Sequence, residues 1–311
     1  MNLVKAHEPT FYFIGVTTSQ SSIMKLFPLW AKALNLNAVI KGIDIELNAD
    51  PEVYREVVSF IKQDELSLGA LVTTHKINVY KAAADLFDEL DESARLFGEL
   101  SCISKRGGKL VGHAKDPLTS RLAMEAFIPA GFWSEHRGEA LILGAGGSGI
   151  AIASNLVHDS KGSDRPSKVY VVDRDEKRLL EMKTVIENVS TSVPVDYTVV
   201  TKTEQSDRIL GSLKPYSAVI NATGLGKDRP GSPLTDNAVF PSHSVVWELN
   251  YRGDLLFMHQ ALKQKDKANL HVADGWMYFI HGWTQVIAEV FHLEIDSGTF
   301  AKLEQIASDF R

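Results

Sequence analysis

The sequence predicts an α/β protein of two domains, and three observations support this class. Apolar runs rich in β-branched residues alternate with helix-length segments along the chain, a pattern typical of mostly parallel sheets with helical crossovers. At 311 residues the chain exceeds one average domain and suits two. A polar, turn-rich stretch from Pro129 to Glu139 separates two such series, so we expect a linker there.

The first series contains three strand candidates and a hairpin. The strand candidates are residues 11–16, 38–45 and 68–74, and the hairpin pairs residues 100–105 with 109–114. Helices are expected to open at Ser22, Pro51, His75 and Pro117. We expect residues 1–120 to form an α/β substrate domain.

The second series contains six strand candidates separated by helical segments. They are residues 140–143, 168–173, 195–200, 216–223, 244–250 and 269–274. Six strands match the count of a Rossmann-type dinucleotide-binding sheet, so we expect residues 130–272 to form that domain. The segment from Gly275 to Arg311 has two amphipathic helical stretches and no strand pattern.

Composition and charge exclude several function classes. The net charge of −6 and the absence of a basic cluster give no reason to expect nucleic acid or an anionic membrane as partner. No apolar run approaches the roughly 18 residues of a membrane span, and MNLVKAHEPT lacks the apolar core of a signal peptide. Cys102 is the single cysteine, and no Cys/His cluster has metal-ligand spacing. We therefore expect a cytoplasmic, metal-free protein.

A glycine-rich turn directly follows the strand candidate 140–143. It comprises Gly144, Ala145, Gly146, Gly147, Ser148 and Gly149, with the G-x-G-x-x-G spacing. In that motif the first glycine makes a tight turn, the second lets a pyrophosphate approach, and the third packs the helix on the strand. The following helix then offers free N–H groups to the phosphates. The alternative is a glycine turn without a ligand, but the flanking strand and helix favour a cofactor site.

Two charged residues end the next strand and bear on the choice of cofactor. The carboxylate of Asp173 can accept hydrogen bonds from the ribose hydroxyls of NAD and would repel a 2′-phosphate. Arg174 follows it and could clasp the 2′-phosphate of NADP, stack on the adenine or lie in solvent. We expect NAD as the preferred cofactor, with NADP possible.

Taken in order, the motifs of the chain resemble those of the shikimate dehydrogenase family over nearly its full length. The second half carries LILGAGGSG, VVDRDEKR, VINATGLG (219–226), WELNYRGDLLFMHQA (247–261) and ADGWMYFIHGWTQ (273–285). The first half carries GVTTSQSSIMKLFP (15–28), GALVTTHK (69–76) and KLVGHAKDP (109–117). The resemblance implies an NAD(P)-dependent dehydrogenase with the active site in the cleft between two domains. It also implies that the helices of 275–311 pack on the first domain.

The resemblance further implies a catalytic pair, which falls on Lys76 and Asp116. Oxidation of a secondary alcohol to a ketone requires a group that takes the hydroxyl proton, and a lysine beside a carboxylate can do so. Without the resemblance, Lys76 would be interpreted as a solvated lysine at a helix start and Asp116 as a helix cap before Pro117. The family's Asn-Ala-Thr segment falls on Asn221, Ala222 and Thr223, which are expected to contact the cofactor.

The substrate-reading residues depart from the family pattern. Ser21 matches the first serine of its Ser-x-Ser loop, but Ile23 stands where the second would be, and Ser19 could replace it if the loop is shifted. The resemblance places five further residues near the substrate or in place of the family's substrate-reading groups: Thr73, Ser101, His113, His281 and Gln285. An isoleucine cannot bind a carboxylate, so substrate choice is the open question.

The expected function is oxidation and reduction of a ring hydroxyl, with shikimate/3-dehydroshikimate or quinate as the first candidates. With shikimate as substrate, the resemblance implies a place in aromatic amino acid biosynthesis. One alternative is the same chemistry on a carboxylate-free cyclitol or amino-cyclitol. Another is a nucleotide-binding regulatory protein that does not catalyse. The only expected partner besides a small cyclic polyol is a second copy, because homodimers are the commonest oligomers.

Overall fold

The computed structural model describes residues 3–226 and 229–311 and shows two compact units. The first unit contains the residues up to Lys115 together with Gly282–Arg311, and the second contains Asp116–His281. The sequence-based boundaries were drawn at residues 120 and 275. The observed boundary after His281 lies beyond the expected one at residue 275, because one continuous helix, Trp276–Phe291, contributes residues to both units.

The first unit is built on a mixed six-stranded sheet in the order β2-β1-β3-β5-β6-β4. Strand β1 pairs in parallel with β2 and β3, whereas β5 runs antiparallel to both β3 and β6. The predicted hairpin is therefore confirmed. The strands are β1 Thr10–Gly15, β2 Val39–Asp44, β3 Ser67–Val72, β4 Glu89–Leu90, β5 Cys102–Arg106 and β6 Lys109–His113.

Helices cover this sheet and supply its core. Helix α1 buries Ile23, Leu26, Phe27, Trp30 and Ala31, the spacing of an amphipathic helix with one apolar face. The Trp30 indole donates a hydrogen bond of 2.9 Å to the carbonyl oxygen of Leu303. The early helices are α1 Ile23–Ala33, α2 Pro51–Gln63, α3 Lys76–Ala83 and α4 Glu92–Phe97.

The second unit is built on a six-stranded parallel sheet in the order β12-β11-β10-β7-β8-β9. Counted from β7, this is the 3-2-1-4-5-6 order of dinucleotide-binding domains. The strands are β7 Ala140–Leu143, β8 Val169–Asp173, β9 Val195–Val199, β10 Ala218–Asn221, β11 Val245–Glu248 and β12 His271–Ala273. All residues of β7, β10 and β11 are buried, as expected for the centre of a parallel sheet.

The remaining helices lie before, between and after the strands of the second sheet. They are α5 Asp116–Glu125, α6 Phe132–His136, α7 Gly147–Val157, α8 Glu176–Glu187, α9 Thr203–Ser212, α10 Leu256–Leu262, α11 Lys265–Ala268, α12 Trp276–Phe291 and α13 Ser297–Ala307. No helix within the described residues is long and apolar enough to cross a membrane. The predicted α/β class is confirmed.

The expected linker from Pro129 to Glu139 contains helix α6, which the sequence did not predict. The carboxylate of Asp164 accepts hydrogen bonds from the backbone N–H groups of Gly131, Trp133 and Ser134. This carboxylate satisfies N–H groups at the helix start that have no partner within the helix. Five residues stabilised by a distant side chain leave no periodic pattern in the sequence.

Candidate cofactor and catalytic site

The glycine turn after β7 has the three features that its spacing predicts. Gly144 has φ +107°, and a Cβ there would lie 2.8 Å from the carbonyl carbon of Ala222. A Cβ at Gly149 would overlap the carbonyl oxygen of Gly144, so helix α7 packs too closely for any side chain. A Cβ at Gly146 would meet nothing within 4 Å. Gly146 is therefore the point at which a ligand can reach the backbone.

The start of helix α7 is suited to an anion. The N–H groups of Gly147, Ser148 and Gly149 belong to the first turn, where no carbonyl of the same helix can accept them. No acidic side chain lies in this first turn, so nothing there offsets the positive end of the helix dipole. A pyrophosphate fits these donors.

Asp173 ends β8 and holds the glycine turn in place. One carboxylate oxygen accepts a hydrogen bond of 2.8 Å from the backbone N–H of Ala145, and the other accepts one of 3.0 Å from that of Asp175. Each oxygen retains a further lone pair, so the carboxylate can still meet a ribose hydroxyl. Its two hydrogen bonds nevertheless hold it to the glycine turn and to the residues that follow β8.

A cavity of about 240 Å³ opens at the carboxyl edge of the second sheet. Its walls combine glycine-turn residues with the loops after β8, β9 and β10: Leu143, Gly144, Gly146, Val172, Asp173, Arg174, Arg178, Val200, Thr201, Lys202, Thr203, Ser206, Ala222, Thr223, Leu225, Arg229 and Pro233. Ligands of open parallel sheets bind at this edge. The residues present therefore fit a dinucleotide, and Asp173 and Arg174 lie where the sequence predicted.

Three cations in this wall were missed by sequence reasoning: Arg178, Lys202 and Arg229. Lys202 follows β9 at the carboxyl edge, so the rule that placed Asp173 could have found it. Arg178 lies one helical turn beyond Arg174, and its Nε is 3.8 Å from the carboxylate of Asp175. Among the described residues of the wall, they and Arg174 make four cations against one carboxylate, that of Asp173.

Of the three residues at and after the end of β10 that are predicted to contact the cofactor, two line the cavity and one supports them. Ala222 and Thr223 line the cavity, whereas Asn221 is fully buried behind them. The side-chain amide oxygen of Asn221 accepts hydrogen bonds from the backbone N–H and the hydroxyl of Thr223, at 3.1 and 2.7 Å. Asn221 thus shapes the wall without lining it.

In the first unit, Lys76 is the first residue of α3, just beyond the carboxyl end of β3. Thr74 before it has φ +57°, which is uncommon for a β-branched residue and marks a constrained turn. His75 is buried and fixed on both ring nitrogens, at 2.9 Å from the Ile45 carbonyl oxygen and 3.2 Å from the Tyr54 hydroxyl. Burial lowers the pKa of His75, so it stays neutral near neutrality. The backbone that presents Lys76 is therefore rigidly held.

Asp116 belongs to the second unit, where it is the first residue of α5 and only 7% exposed. Its carbonyl oxygen accepts a hydrogen bond from the Thr119 hydroxyl at 3.2 Å. The structure thus places Lys76 and Asp116 each at the first turn of a helix.

The loop from Thr17 to Ile23 offers fewer free hydroxyls than the sequence suggested. Thr18 is buried, and both its N–H and its hydroxyl donate to one carboxylate oxygen of Asp44, at 2.8 and 2.6 Å. Ser19 is exposed and Ser21 is half-buried. Ile23 is completely buried in the core beneath α1. Thr18 and Ile23 therefore serve the fold, and Ser19 and Ser21 remain as candidate ligands.

Two candidate substrate-binding residues near β5 and β6, Ser101 and His113, form hydrogen bonds within the protein. The Ser101 hydroxyl accepts a hydrogen bond of 2.7 Å from the backbone N–H of Lys115. His113 is buried, with its ring nitrogens 2.9 Å from the Ser104 hydroxyl and 3.3 Å from the Asp91 carboxylate. These contacts support a structural hydrogen-bonding role for His113, which is the alternative to a polyol contact. Thr73, at the end of β3, is half-buried and donates its N–H to the Ile14 carbonyl oxygen at 2.9 Å.

His281 and Gln285 lie one turn apart on α12. His281 is buried, and burial lowers its pKa to about 4. Its imidazole is therefore neutral near neutrality and can both donate and accept a hydrogen bond. Gln285 is half-buried.

Comparison with known proteins agrees with these features. No family model matches the chain. The shikimate dehydrogenase (NADP(+)) of Symbiobacterium thermophilum is 27% identical over 188 residues, 60% of this chain and 60% of that protein. The chain thus matches about 60% of the length of that relative.

Solved structures extend the likeness to the whole fold. The quinate dehydrogenase from Corynebacterium glutamicum in complex with NAD has a TM-score of 0.73 at 20% identity, covering 97% of this chain and 99% of that one. The 5-ketofructose reductase of Gluconobacter sp. strain CHM43, in its ligand-free form, has a TM-score of 0.67 at 19% identity, covering 96% and 98%. This chain is therefore similar in sequence to shikimate dehydrogenases over part of its length, and it shares the two-domain fold of the solved shikimate and quinate dehydrogenases.

Proposed function

We propose that this protein is an NAD(P)-dependent dehydrogenase that interconverts a ring secondary alcohol and its ketone. The observation that carries the proposal is the open backbone at Gly146, at the start of α7 and in the wall of a cavity at the carboxyl edge of the second sheet. When bound, the nicotinamide cofactor supplies or accepts the hydride. The protein's own residues must then bind both molecules and move one proton.

We assign the proton transfer to Lys76, with Asp116 as its partner. In oxidation a neutral lysine amine accepts the hydroxyl proton, and in reduction the ammonium group returns it to the developing alkoxide. The resemblance gives Asp116 the role of orienting the lysine and the substrate hydroxyl. The resemblance suggests the pairing, and the constrained turn at Thr74 supports it because backbone strain concentrates at functional sites.

Shikimate/3-dehydroshikimate or quinate is the first substrate candidate. The exposed Ser19 and the half-buried Ser21 could donate hydrogen bonds to a carboxylate, and a neutral His281 could meet a ring hydroxyl. Thr73, Ser101 and Gln285 complete the proposed substrate set. The similarity to a shikimate dehydrogenase and a quinate dehydrogenase supports this candidate.

A carboxylate-free polyol is the second candidate, and Ile23 favours it. Because Ile23 is buried in the core, the second serine of the family loop has no counterpart at that position. The matched 5-ketofructose reductase is named for a ketose, which has no carboxylate. A substrate of that class would need no paired serines.

The cavity wall favours NADP over NAD, contrary to the preference expected from Asp173 alone. Both carboxylate oxygens of Asp173 accept backbone N–H groups, which reduces their repulsion of a 2′-phosphate. Arg174, Arg178 and Lys202 supply cations that can pair with that phosphate. We therefore propose NADP as the preferred cofactor.

The deciding experiment measures the change in nicotinamide absorbance when the enzyme is mixed with shikimate, quinate or a neutral polyol, each with NAD and with NADP. We expect turnover of at least one ring alcohol with NADP. Cofactor binding without turnover of any alcohol or ketone would favour the regulatory alternative instead.

The catalytic pair is tested by replacement of each residue. Lys76→Ala and Asp116→Ala should each lower kcat by roughly 10²–10⁴-fold, the usual loss of positioned acid–base help. Cofactor affinity should stay nearly unchanged, because the dinucleotide cavity lies in other parts of the chain. Lys81→Ala, an exposed lysine of the same helix α3, is the matched control. Near-normal turnover in both variants would refute the assignment.

A further inference from the structure

Glu248 ends β11 and is a completely buried carboxylate. One oxygen accepts a hydrogen bond of 2.7 Å from the Asn221 side-chain amide. The other accepts from the backbone N–H and the side-chain amide of Asn250, at 2.9 and 2.7 Å. All three donors are neutral. Buried carboxylates are costly and are usually paired with a cation, so this arrangement requires an explanation.

The hydrogen bonds of Glu248 are part of a closed ring. Asn221 receives the hydroxyl of Thr223, and the Thr223 hydroxyl oxygen accepts the N–H of Leu225 at 3.2 Å. The Leu225 carbonyl oxygen in turn accepts from the Asn250 amide at 3.0 Å, and that amide also donates to Glu248. The ring therefore joins the ends of β10 and β11 through the loop 222–225.

This loop is also one wall of the dinucleotide cavity. Ala222, Thr223 and Leu225 line it. Ala222 lies close to Gly144: a methyl group added at Gly144 would lie 2.8 Å from the carbonyl carbon of Ala222. A shift of the loop by a fraction of an ångström would thus alter both the wall and the glycine turn.

The ring depends on the charge of Glu248. An ionised carboxylate accepts all three donors in charge-assisted hydrogen bonds. A protonated one accepts them more weakly and adds a proton among groups that are themselves donating, so the ring is weakened. Burial raises the pKa of Glu248 to about 7, and the negative charge of Asp274 acts in the same direction. The change from charge-assisted to weaker hydrogen bonds therefore falls near neutral pH.

We propose that Glu248 is a positioning residue: its negative charge holds the loop 222–225 in the shape that binds the dinucleotide, and loss of that charge weakens binding. The inference rests on the proposed function, because it concerns the same cofactor site. Glu248 does not line the cavity, so it acts through Asn221 and Asn250.

The test measures the Kd of NADPH and NADH by fluorescence from about one pH unit below neutrality to one above. The wild-type protein should bind both about fivefold more weakly at the acid end, because a loss of roughly 1.4 kcal/mol weakens binding tenfold only when Glu248 is fully protonated. NADH is included because it lacks a 2′-phosphate, so its pH dependence cannot come from titration of that group.

Glu248→Gln should bind both cofactors weakly and without pH dependence, because its amide resembles the protonated acid. Glu248→Asp keeps the charge and should restore part of the pH dependence. Glu139→Gln is the matched control: Glu139 is also a buried carboxylate of this unit, but it precedes β7 and lies at the opposite edge of the sheet. It should behave as the wild type.

Wild-type affinity and pH dependence in Glu248→Gln would overturn the inference while leaving the proposed function intact. A wild-type protein that binds neither cofactor at any pH would overturn both. If Glu248→Gln does not fold, the wild-type profile decides, since an NADH Kd that is constant with pH contradicts the proposal by itself.

Discussion

The glycine turn 144–149 and the loop 17–23 both follow the first strand of a parallel run, yet they differ in how they could bind a ligand. The glycine turn offers backbone N–H groups and open space at Gly146. The loop 17–23 contains no glycine, so side chains surround its backbone, and the fold itself uses two of them, Thr18 and Ile23. A site made of backbone is fixed once the turn is formed. A site made of side chains changes with each substitution.

This difference would explain why the glycine turn matches the dinucleotide motif while the loop 17–23, which is proposed to bind the substrate, departs from the Ser-x-Ser pattern. The pyrophosphate is common to NAD and NADP. The substrate can differ, and the residues that read it can differ with it. Substitutions in each loop can test this contrast between a ligand site made of backbone and one made of side chains.

The largest expected effect separates two glycines of the same turn. Gly149→Ala should prevent stable folding or strongly lower Tm, because its Cβ would overlap the Gly144 carbonyl oxygen. Gly146→Ala should fold normally, since its Cβ meets nothing within 4 Å, but should lose cofactor affinity because the methyl group lies where a phosphate approaches. Thermal unfolding and cofactor titration distinguish the two outcomes.

Gly211→Ala is the control for this pair, because it also meets nothing within 4 Å and lies in helix α9, far from the turn in sequence. It should keep cofactor affinity and gain a little stability, as helix interiors prefer alanine to glycine. Equal cofactor affinities for Gly146→Ala and Gly211→Ala would mean that the turn does not contact the dinucleotide.

The next effect tests whether the family's second serine can be restored. Ile23→Ser should lower the free energy of unfolding by about 3 to 5 kcal/mol, because a large buried side chain is lost and a hydroxyl is buried. Ile23→Val should cost only about 1 kcal/mol. Because position 23 faces the core, the serine variant should not lower KM for shikimate. A clear decrease in that KM would show that the loop rearranges to expose position 23.

The cofactor preference should change by a smaller factor. Removal of a cation in Arg174→Ala or Lys202→Ala should reduce kcat/KM for NADP about tenfold, equivalent to about 1.4 kcal/mol, and leave NAD nearly unaffected. Arg208→Ala, a basic residue of α9 that does not line the cavity, serves as the control. Equal losses with both cofactors would indicate that these cations contact the shared part of the dinucleotide.

The smallest effect concerns Ser21. Ser21→Ala should raise KM a few-fold for shikimate or quinate, about the value of one hydrogen bond to a charged group, and less for a neutral polyol. Parallel measurements on both substrates give the ratio. If the two KM values rise equally, this loop does not read a carboxylate.

Much of the second unit could be predicted from the sequence because its features are local. The glycine turn, Asp173 at the end of β8 and the six strands each leave a pattern within a few residues. The roles of Thr18 and His113 could not be predicted, since their partners Asp44 and Asp91 are distant in sequence. Helix α6 was missed for the same reason, because Asp164 stabilises it from outside.

The bond between the Trp30 indole and the Leu303 carbonyl has a consequence for the order of synthesis. The second unit is encoded by one uninterrupted stretch, so it can fold as soon as that stretch has left the ribosome. The first unit is completed only when α12 and α13 have been translated. Until then Phe27 can pack on Phe11 but lacks Phe291, and Trp30 lacks the Leu303 carbonyl.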